Sequence, residues 1–185
     1  MAGEPTRAEL PSIRRATLDD LDAIMSLETS TFASDAWSRG TMRAELGSPH
    51  GYYLVADGPA DGAIAGYAGL LAPVDSGQAD IQTIAVAPTA RRHGLGRALM
   101  VALLDEARRR QTADVFLEVR ADNPNAQALY ASLGFEVKTA VAQMQARPAV
   151  EATGAREIHA PVQSSDRRFP LRCRWSTAAG QPADR

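Results

Sequence analysis

Three places in this 185-residue sequence carry groups suited to chemistry. The first is Arg91-x-x-Gly94-x-Gly96 in "RRHGLGRALM" (Arg91–Met100), which follows the strand-like run "IQTIAVAP" and opens a helical pattern. A helix start leaves unpaired N–H groups and a partial positive charge, and two glycines one residue apart leave the backbone bare. Such a junction suits a phosphate. The third glycine of a dinucleotide fingerprint is missing and no Gly-Lys-Ser/Thr follows, so this is neither of the two common nucleotide loops. Glycines that only let a turn and a helix pack tightly would look the same. The second place is Glu118 in "DVFLEVR", where it alternates with Leu117 and Val119 and puts a carboxylate on the polar face of a strand. The third is Tyr130 in "ALYASLGF", on the helix that follows, a position that core packing alone would also explain.

Nucleophile and metal chemistry find less support. The lone Cys173, in "RCRW", permits neither a disulfide nor a cysteine metal cluster and reads as a strand residue. His50, His93 and His159 form no Ser/His/Asp grouping, and His93 within the glycine loop reads as a solvated loop residue. No metal is expected, and no covalent enzyme intermediate on a cysteine or serine.

The elements that must position these groups follow from periodicity and punctuation. Residues 1–11 read as a flexible leader. "SIRRA" is a short strand, and Thr17 with Asp20 three residues on resembles a capping box before an amphipathic helix (Leu21, Ile24, Met25, Leu27) to about Phe32. Ser38 reads as the cap of a second helix ending near Gly47, with Trp37 and Met42 as its hydrophobic staple. Tyr52–Asp57 and Ala63–Leu71 around "GPADG" predict a β-hairpin, and Ala79–Ala87 a long strand stopped by Pro88. Leu95, Leu99, Leu103 and Ala107 mark one stripe of a helix to about Arg110. Asp114–Arg120 is a strand, and Asn123 with Pro124 starts a short helix that Gly134 ends. "FEVKTAVAQMQ" suggests a further strand. From about Arg147 the chain turns polar and proline-broken, and "RFPLRCRW" alternates like a last strand that Pro170 would confine to a sheet edge.

Composition narrows the class. Hydrophobic residues make up 45% and charged residues 23%, ordinary for a globular chain, and the net charge of −2 argues against a general nucleic-acid binder. The start lacks the apolar core of a signal peptide and no apolar run is long enough to span a membrane, so a cytoplasmic protein, monomeric or weakly dimeric, is expected.

The order strand, two helices, three strands, then the Arg-x-x-Gly-x-Gly helix resembles the GNAT acyltransferase superfamily. The resemblance implies an α/β (α+β) fold with a central mixed, mostly antiparallel sheet flanked by helices, and acetyl-CoA as co-substrate. It implies that backbone groups of Arg91, Arg92, His93, Gly94, Leu95, Gly96 and Arg97 hold the diphosphate, and that Ile84, Ala85 and Val86 pair their backbone with the pantetheine arm as an added strand would. "AWS", "IAV.P..RR.GLGRAL" and "LEVR.DN..A..LY.SLGF" together look like the RimI group, over roughly residues 12–137. Those enzymes acetylate the N-terminal α-amine of a small-subunit ribosomal protein that begins with alanine. That likeness implies Glu118 as general base, Tyr130 as general acid toward the departing thiolate, and Asn123 as a contact to the cofactor arm. A backbone N–H near Val86 is the natural oxyanion donor.

After "LGF" the likeness stops: "EVKTAVAQMQARPAV" stands where the RimI pattern has an arginine-rich segment and a Tyr-Tyr pair. The expected division is therefore a leader (1–11), an acetyltransferase domain (12–147) and a divergent segment (148–185) with one edge strand and a tail. Two other functions fit the same fold: acetylation of small amines or lysine side chains, and a non-catalytic acyl-CoA-binding module.

Overall fold

In the computed structural model, which describes residues 10–140 and 170–177, the capping signals stand at element boundaries. The Thr17 side chain and the Asp20 carboxylate form a reciprocal capping box, with the Thr17 N–H donating to Asp20 at 2.8 Å. It starts a short 3-10 turn, Leu18–Asp20, that runs into helix α1 (Leu21–Phe32). Ser38 accepts the Thr41 N–H at 3.1 Å and opens α2 (Arg39–Gly47). Trp37 and Met42 lie in one core cluster, as a staple requires. Asn123 accepts the Ala126 N–H at 3.1 Å and opens α4 (Pro124–Ser132), beyond which Gly134 takes a φ of 90°.

Among the described residues seven strands form one sheet: β1 (Ile13–Arg15), β2 (Gly51–Asp57), β3 (Ile64–Leu71), β4 (Gln78–Val86), β5 (Asp114–Arg120), β6 (Glu136–Ala140) and β7 (Pro170–Ser176). Their order is β1-β2-β3-β4-β5-β7-β6, and every neighbouring pair is antiparallel except β4 and β5. The parallel pair is joined by helix α3 (Leu95–Arg109), the crossover such a pair requires. The mixed, mostly antiparallel sheet is the one expected.

Helices cover both faces. Leu95, Leu99, Leu103 and Ala107 of α3 are all buried, and with Tyr130 of α4 they pack on one face against Ala68, Leu70, Ile81, Leu117, Val119 and Cys173. On the other face, Leu21, Ile24 and Leu27 of α1 and Met42 of α2 cover Tyr53, Val55, Tyr67 and Ala85. Gly69 stands opposite Tyr53, and a Cβ there would lie 2.2 Å from the tyrosine ring.

The last strand departs from expectation. β7 is not at an edge; it lies between β5 and β6, pairing Leu117 with Cys173 and Val137 with Cys173 on its two sides. Pro170 is tolerated because it is the first residue of the strand, opposite Arg120 where β5 ends, so its missing N–H falls at the end of the ladder. The edge belongs instead to β6, where the "FEVKTAVAQMQ" strand is seen over Glu136–Ala140; its remainder, 141–145, lies outside the described residues, as do the stretch to 169, the leader up to residue 9 and the tail from 178.

Candidate active site

The site begins where β4 and β5 part. Their ladder runs from Gln78↔Asp114 to Ile81↔Leu117 and stops there. On its other side β4 shifts register against β3, which pairs with Ile81 and then with Thr83, leaving Gln82 as a bulge. Past this bulge, Thr83–Val86 stays paired with β3 while β5 continues along β7. The result is a wedge-shaped opening with a free backbone edge on Thr83–Val86, which holds Ile84, Ala85 and Val86. Ile84 and Val86 pack their side chains toward the α3 face and Ala85 toward the α1 face, and the Val86 carbonyl on that edge accepts from Arg91.

The glycine loop closes the wide end of the opening. Pro88–Ala90 forms a 3-10 turn, Arg91 sends its Nε back to the Val86 carbonyl at 2.9 Å, and Arg92 and Gly94 take positive φ values of 66° and 87°. Gly94 is the N-cap of α3, and no side chain caps that end and no acidic residue occupies its first turn. The first bond of the helix is Ala98 N–H to the Gly94 carbonyl at 3.0 Å, which leaves the N–H groups of Leu95, Gly96 and Arg97 aimed out of the helix end. Ser38 and Asn123 cap α2 and α4 with a side chain, whereas the start of α3 has none, an arrangement that suits an anion.

Gly96 separates the two readings of the glycine motif. A Cβ at Gly96 would meet only Leu129 Cδ2 at 3.7 Å and Val86 Cγ2 at 3.8 Å, ordinary contacts. Tight internal packing therefore does not require this glycine. Arg91, Arg92, His93 and Arg97 are exposed around the loop. The Arg97 guanidinium bonds Ser132 of α4 at 2.8 Å, so its backbone rather than its side chain faces the helix end.

Glu118 and Tyr130 lie on opposite faces of the sheet. Glu118 alternates with buried Leu117 and Val119, so it projects from the α1 side, exposed and without a hydrogen bond or ion pair among the described residues. It stands opposite Arg172 of β7, and Arg172 reaches Asp80 of β4 at 3.6 Å across the Phe116 ring. Tyr130 is buried on the α3 side, edge-on to Phe135 at 6.0 Å between ring centroids. Burial, with a smaller contribution from nearby Cys173, pushes its phenol up to about 12, so it is a proton donor at any physiological pH. Its hydroxyl has no hydrogen-bond partner among the described residues. Asn123 is exposed and is seen as a helix cap, through Oδ1.

Sequence reasoning missed Glu28. It is 1% exposed, accepts the Trp37 N–H at 2.8 Å and the Tyr67 hydroxyl, and through Tyr67 reaches Thr83 at 3.1 Å. The signal was present: Glu28 follows Leu21 by seven residues and Ile24 by four, a carboxylate on the apolar stripe of α1. Asp80, Arg172 and the Asp35–Arg120 ion pair (3.6 Å) had no local signal, because each joins elements far apart in sequence. Among the described residues no group of His, Cys, Asp or Glu is placed to hold a metal ion.

Residues 21–135 match the acetyltransferase (GNAT) family. The chain is 38% identical over 128 residues to the N-alpha-acetyltransferase RimI of Mycobacterium tuberculosis, covering 68% of this chain and 78% of that protein. It is 39% identical over 120 residues to the ribosomal protein bS18-alanine N-acetyltransferase of Escherichia coli, covering 65% and 77%. The crystal structure of the ribosomal-protein-S18-alanine N-acetyltransferase from Escherichia coli superposes with a TM-score of 0.67 at 27% identity, over 90% of this chain and 94% of that one. A split parallel pair beside an uncapped, glycine-opened helix is thus set in a sequence of matching kind: the chain belongs to the GNAT family and is an acetyl-CoA-dependent N-acetyltransferase.

Proposed function

We propose that this enzyme acetylates the N-terminal α-amine of a protein, a ribosomal protein beginning with alanine, by direct attack of the amine. The observation that carries the reading is the end of the β4–β5 ladder at Ile81 and Leu117, with the exposed Glu118 next on β5, beside the uncapped, glycine-opened start of α3. The bound acetyl-CoA supplies an activated thioester. The N–H groups of Leu95, Gly96 and Arg97 hold its diphosphate, with Arg91, Arg92, His93 and Gly94 shaping the loop around it. The free edge at Ile84, Ala85 and Val86 holds its amide-bearing arm, and Asn123 stands at the far rim. The acetyl group then sits in the opening, reachable from both faces.

An α-amine with a pKa of about 7.7–8.0 needs only a mild base near neutral pH. Glu118, exposed on the α1 face, takes that proton directly or through a water. Tyr130 lies on the other face, protonated, and gives its proton to the departing sulfur. The segment 12–147 together with β7 makes up the acetyltransferase domain. We place the enzyme in the cytoplasm, as a monomer or weak dimer with no metal, nucleic acid or membrane among its partners; none of its described helices is long and apolar enough to cross a membrane.

Thiol release from acetyl-CoA, followed for alanine-initiated peptides, lysine peptides and polyamines, tests the acceptor. Turnover is expected with the alanine-initiated peptide. Turnover confined to polyamines would transfer the enzyme to the small-amine class, and binding of acetyl-CoA with no turnover on any acceptor would make it a non-catalytic module.

A further inference from the structure

The mechanism above leaves the most deeply buried carboxylate of the described residues without a task. Glu28 lies on α1, 1% exposed, and bonds Tyr67 of the apolar cluster that also holds Leu21, Ile24, Met42 and Val55. Burying a carboxylate is costly unless its oxygens are bonded, and here both are. Oε1 accepts the Trp37 N–H at 2.8 Å, and Oε2 accepts the Tyr67 hydroxyl. Tyr67 in turn meets Thr83 Oγ1 at 3.1 Å.

The two ends of this chain of bonds fall in informative places. Thr83 belongs to the stretch of β4 beyond the bulge, the strand that borders the opening. Trp37 belongs to the connection between α1 and α2, residues 33–38, which starts at Ala33 with a φ of 46°, a conformation an alanine keeps only when its surroundings hold it there. That same connection sends Asp35 to Arg120 at 3.6 Å. Arg120 is two residues beyond Glu118 on the same strand, and so on the same face. The 33–38 connection therefore arches from α1 over to the end of β5, on the side from which Glu118 projects.

We propose that Glu28 is a positioning residue for the acceptor: it fixes the 33–38 arch beside Glu118 and ties it, through Tyr67 and Thr83, to the strand edge that borders the opening. The inference rests on the peptide-acetylating reading of the site. An N-terminal peptide entering on the Glu118 face has the arch as one wall, which Glu28 anchors from the core side and the Asp35–Arg120 pair from the β5 side. Glu28 touches neither substrate and acts through the Trp37 backbone.

The test pairs kinetics with amide hydrogen exchange at residues 33–38. Tyr67→Phe keeps the ring in the core and removes one of the two bonds; Glu28→Ala removes both; Glu28→Gln keeps an oxygen for the Trp37 N–H. Exchange in the arch is expected to quicken more than tenfold in Glu28→Ala, with partial protection returning in Glu28→Gln. The KM for an alanine-initiated peptide is expected to rise about tenfold, with acetyl-CoA affinity and kcat within threefold of the parent, and Tyr67→Phe moving the same way by less. Unchanged exchange in folded Glu28→Ala would overturn the proposal, as would faster exchange with an unchanged peptide KM. Should Glu28→Ala fail to fold, Tyr67→Phe and Glu28→Gln carry the same readouts. If the parent enzyme acetylates only free amines, the functional reading falls, and the exchange difference at Trp37 still decides whether Glu28 holds the arch.

Discussion

Tyr130 keeps its ring in the core and its hydroxyl unbonded among the described residues, so the ring and the hydroxyl can be tested apart. Tyr130→Phe retains the packing against Phe135 and is expected to lower kcat by about 10²–10⁴-fold, the usual worth of a positioned acid, with acetyl-CoA affinity unchanged. Burial raises the phenol to about 12, so the donor form persists throughout the range in which enzymes are assayed. The rate–pH profile should therefore show no falling basic limb from this group below about pH 10, the ordinary tyrosine value. A limb near neutrality that disappears in Tyr130→Phe would show that the proton is held less firmly than its burial requires. Glu118 has the complementary signature. Glu118→Gln should cost about 10²–10⁴-fold in turnover near neutrality, and the loss should shrink as pH rises past about 8, where the α-amine is already neutral. A loss of equal size at about pH 6.5 and about pH 9 would assign Glu118 a structural role.

At the scale of elements, the glycine loop and the caps are where local sequence decides most. Gly96→Asp places a side chain in ordinary contact with Leu129 and Val86, so the fold should persist, but it sets a negative charge at the uncapped start of α3. Affinity for CoA should fall more than tenfold, about 1.4 kcal/mol, with the melting temperature unchanged; unaltered binding by calorimetry would remove the diphosphate from this loop. The capping box gives a stability test. Arg14 and the Thr17 N–H hold the Asp20 carboxyl below its ordinary value, so its ionised form favours the folded state. The contribution is complete above the unfolded value of about 3.9 and is lost as pH falls through the folded value. Asp20→Ala is expected to cost about 0.5–2 kcal/mol at pH 7 and progressively less in acid, as read by denaturant unfolding. Thr17, Ser38 and Asn123 were legible because a cap is bonded within three residues of itself. The opening between β4 and β5 was not, because it depends on how Gln82 bulges against Gly69 and Leu70 of β3, a separate strand across the intervening loop.

At the scale of the whole molecule, the sheet is finished from the far end of the chain. β7 enters between β5 and β6, supplies Cys173 and Trp175 to the main core, and puts Arg172 opposite Glu118. Pro170 pointed to an edge by its missing N–H; its position at the strand's first residue removes that objection, and alternation alone does not say between which neighbours a strand will insert. A chain ending before residue 170 leaves β5 without its antiparallel partner and should yield no cooperative unfolding transition. Glu28 tells the same story from the other side: a charge on the apolar stripe of α1 was visible, but its partners on the 33–38 connection and on β3 appear only when the helix is laid on the sheet. The central claim is that the acetyl group goes to a protein N-terminus, and its most direct test is tandem mass spectrometry of a peptide carrying both an N-terminal alanine and an internal lysine after incubation with enzyme and acetyl-CoA. The account predicts a single acetyl group on the alanine α-amine, lost in Glu118→Gln near neutral pH; an acetyl group on the lysine, with the α-amine free, would contradict it.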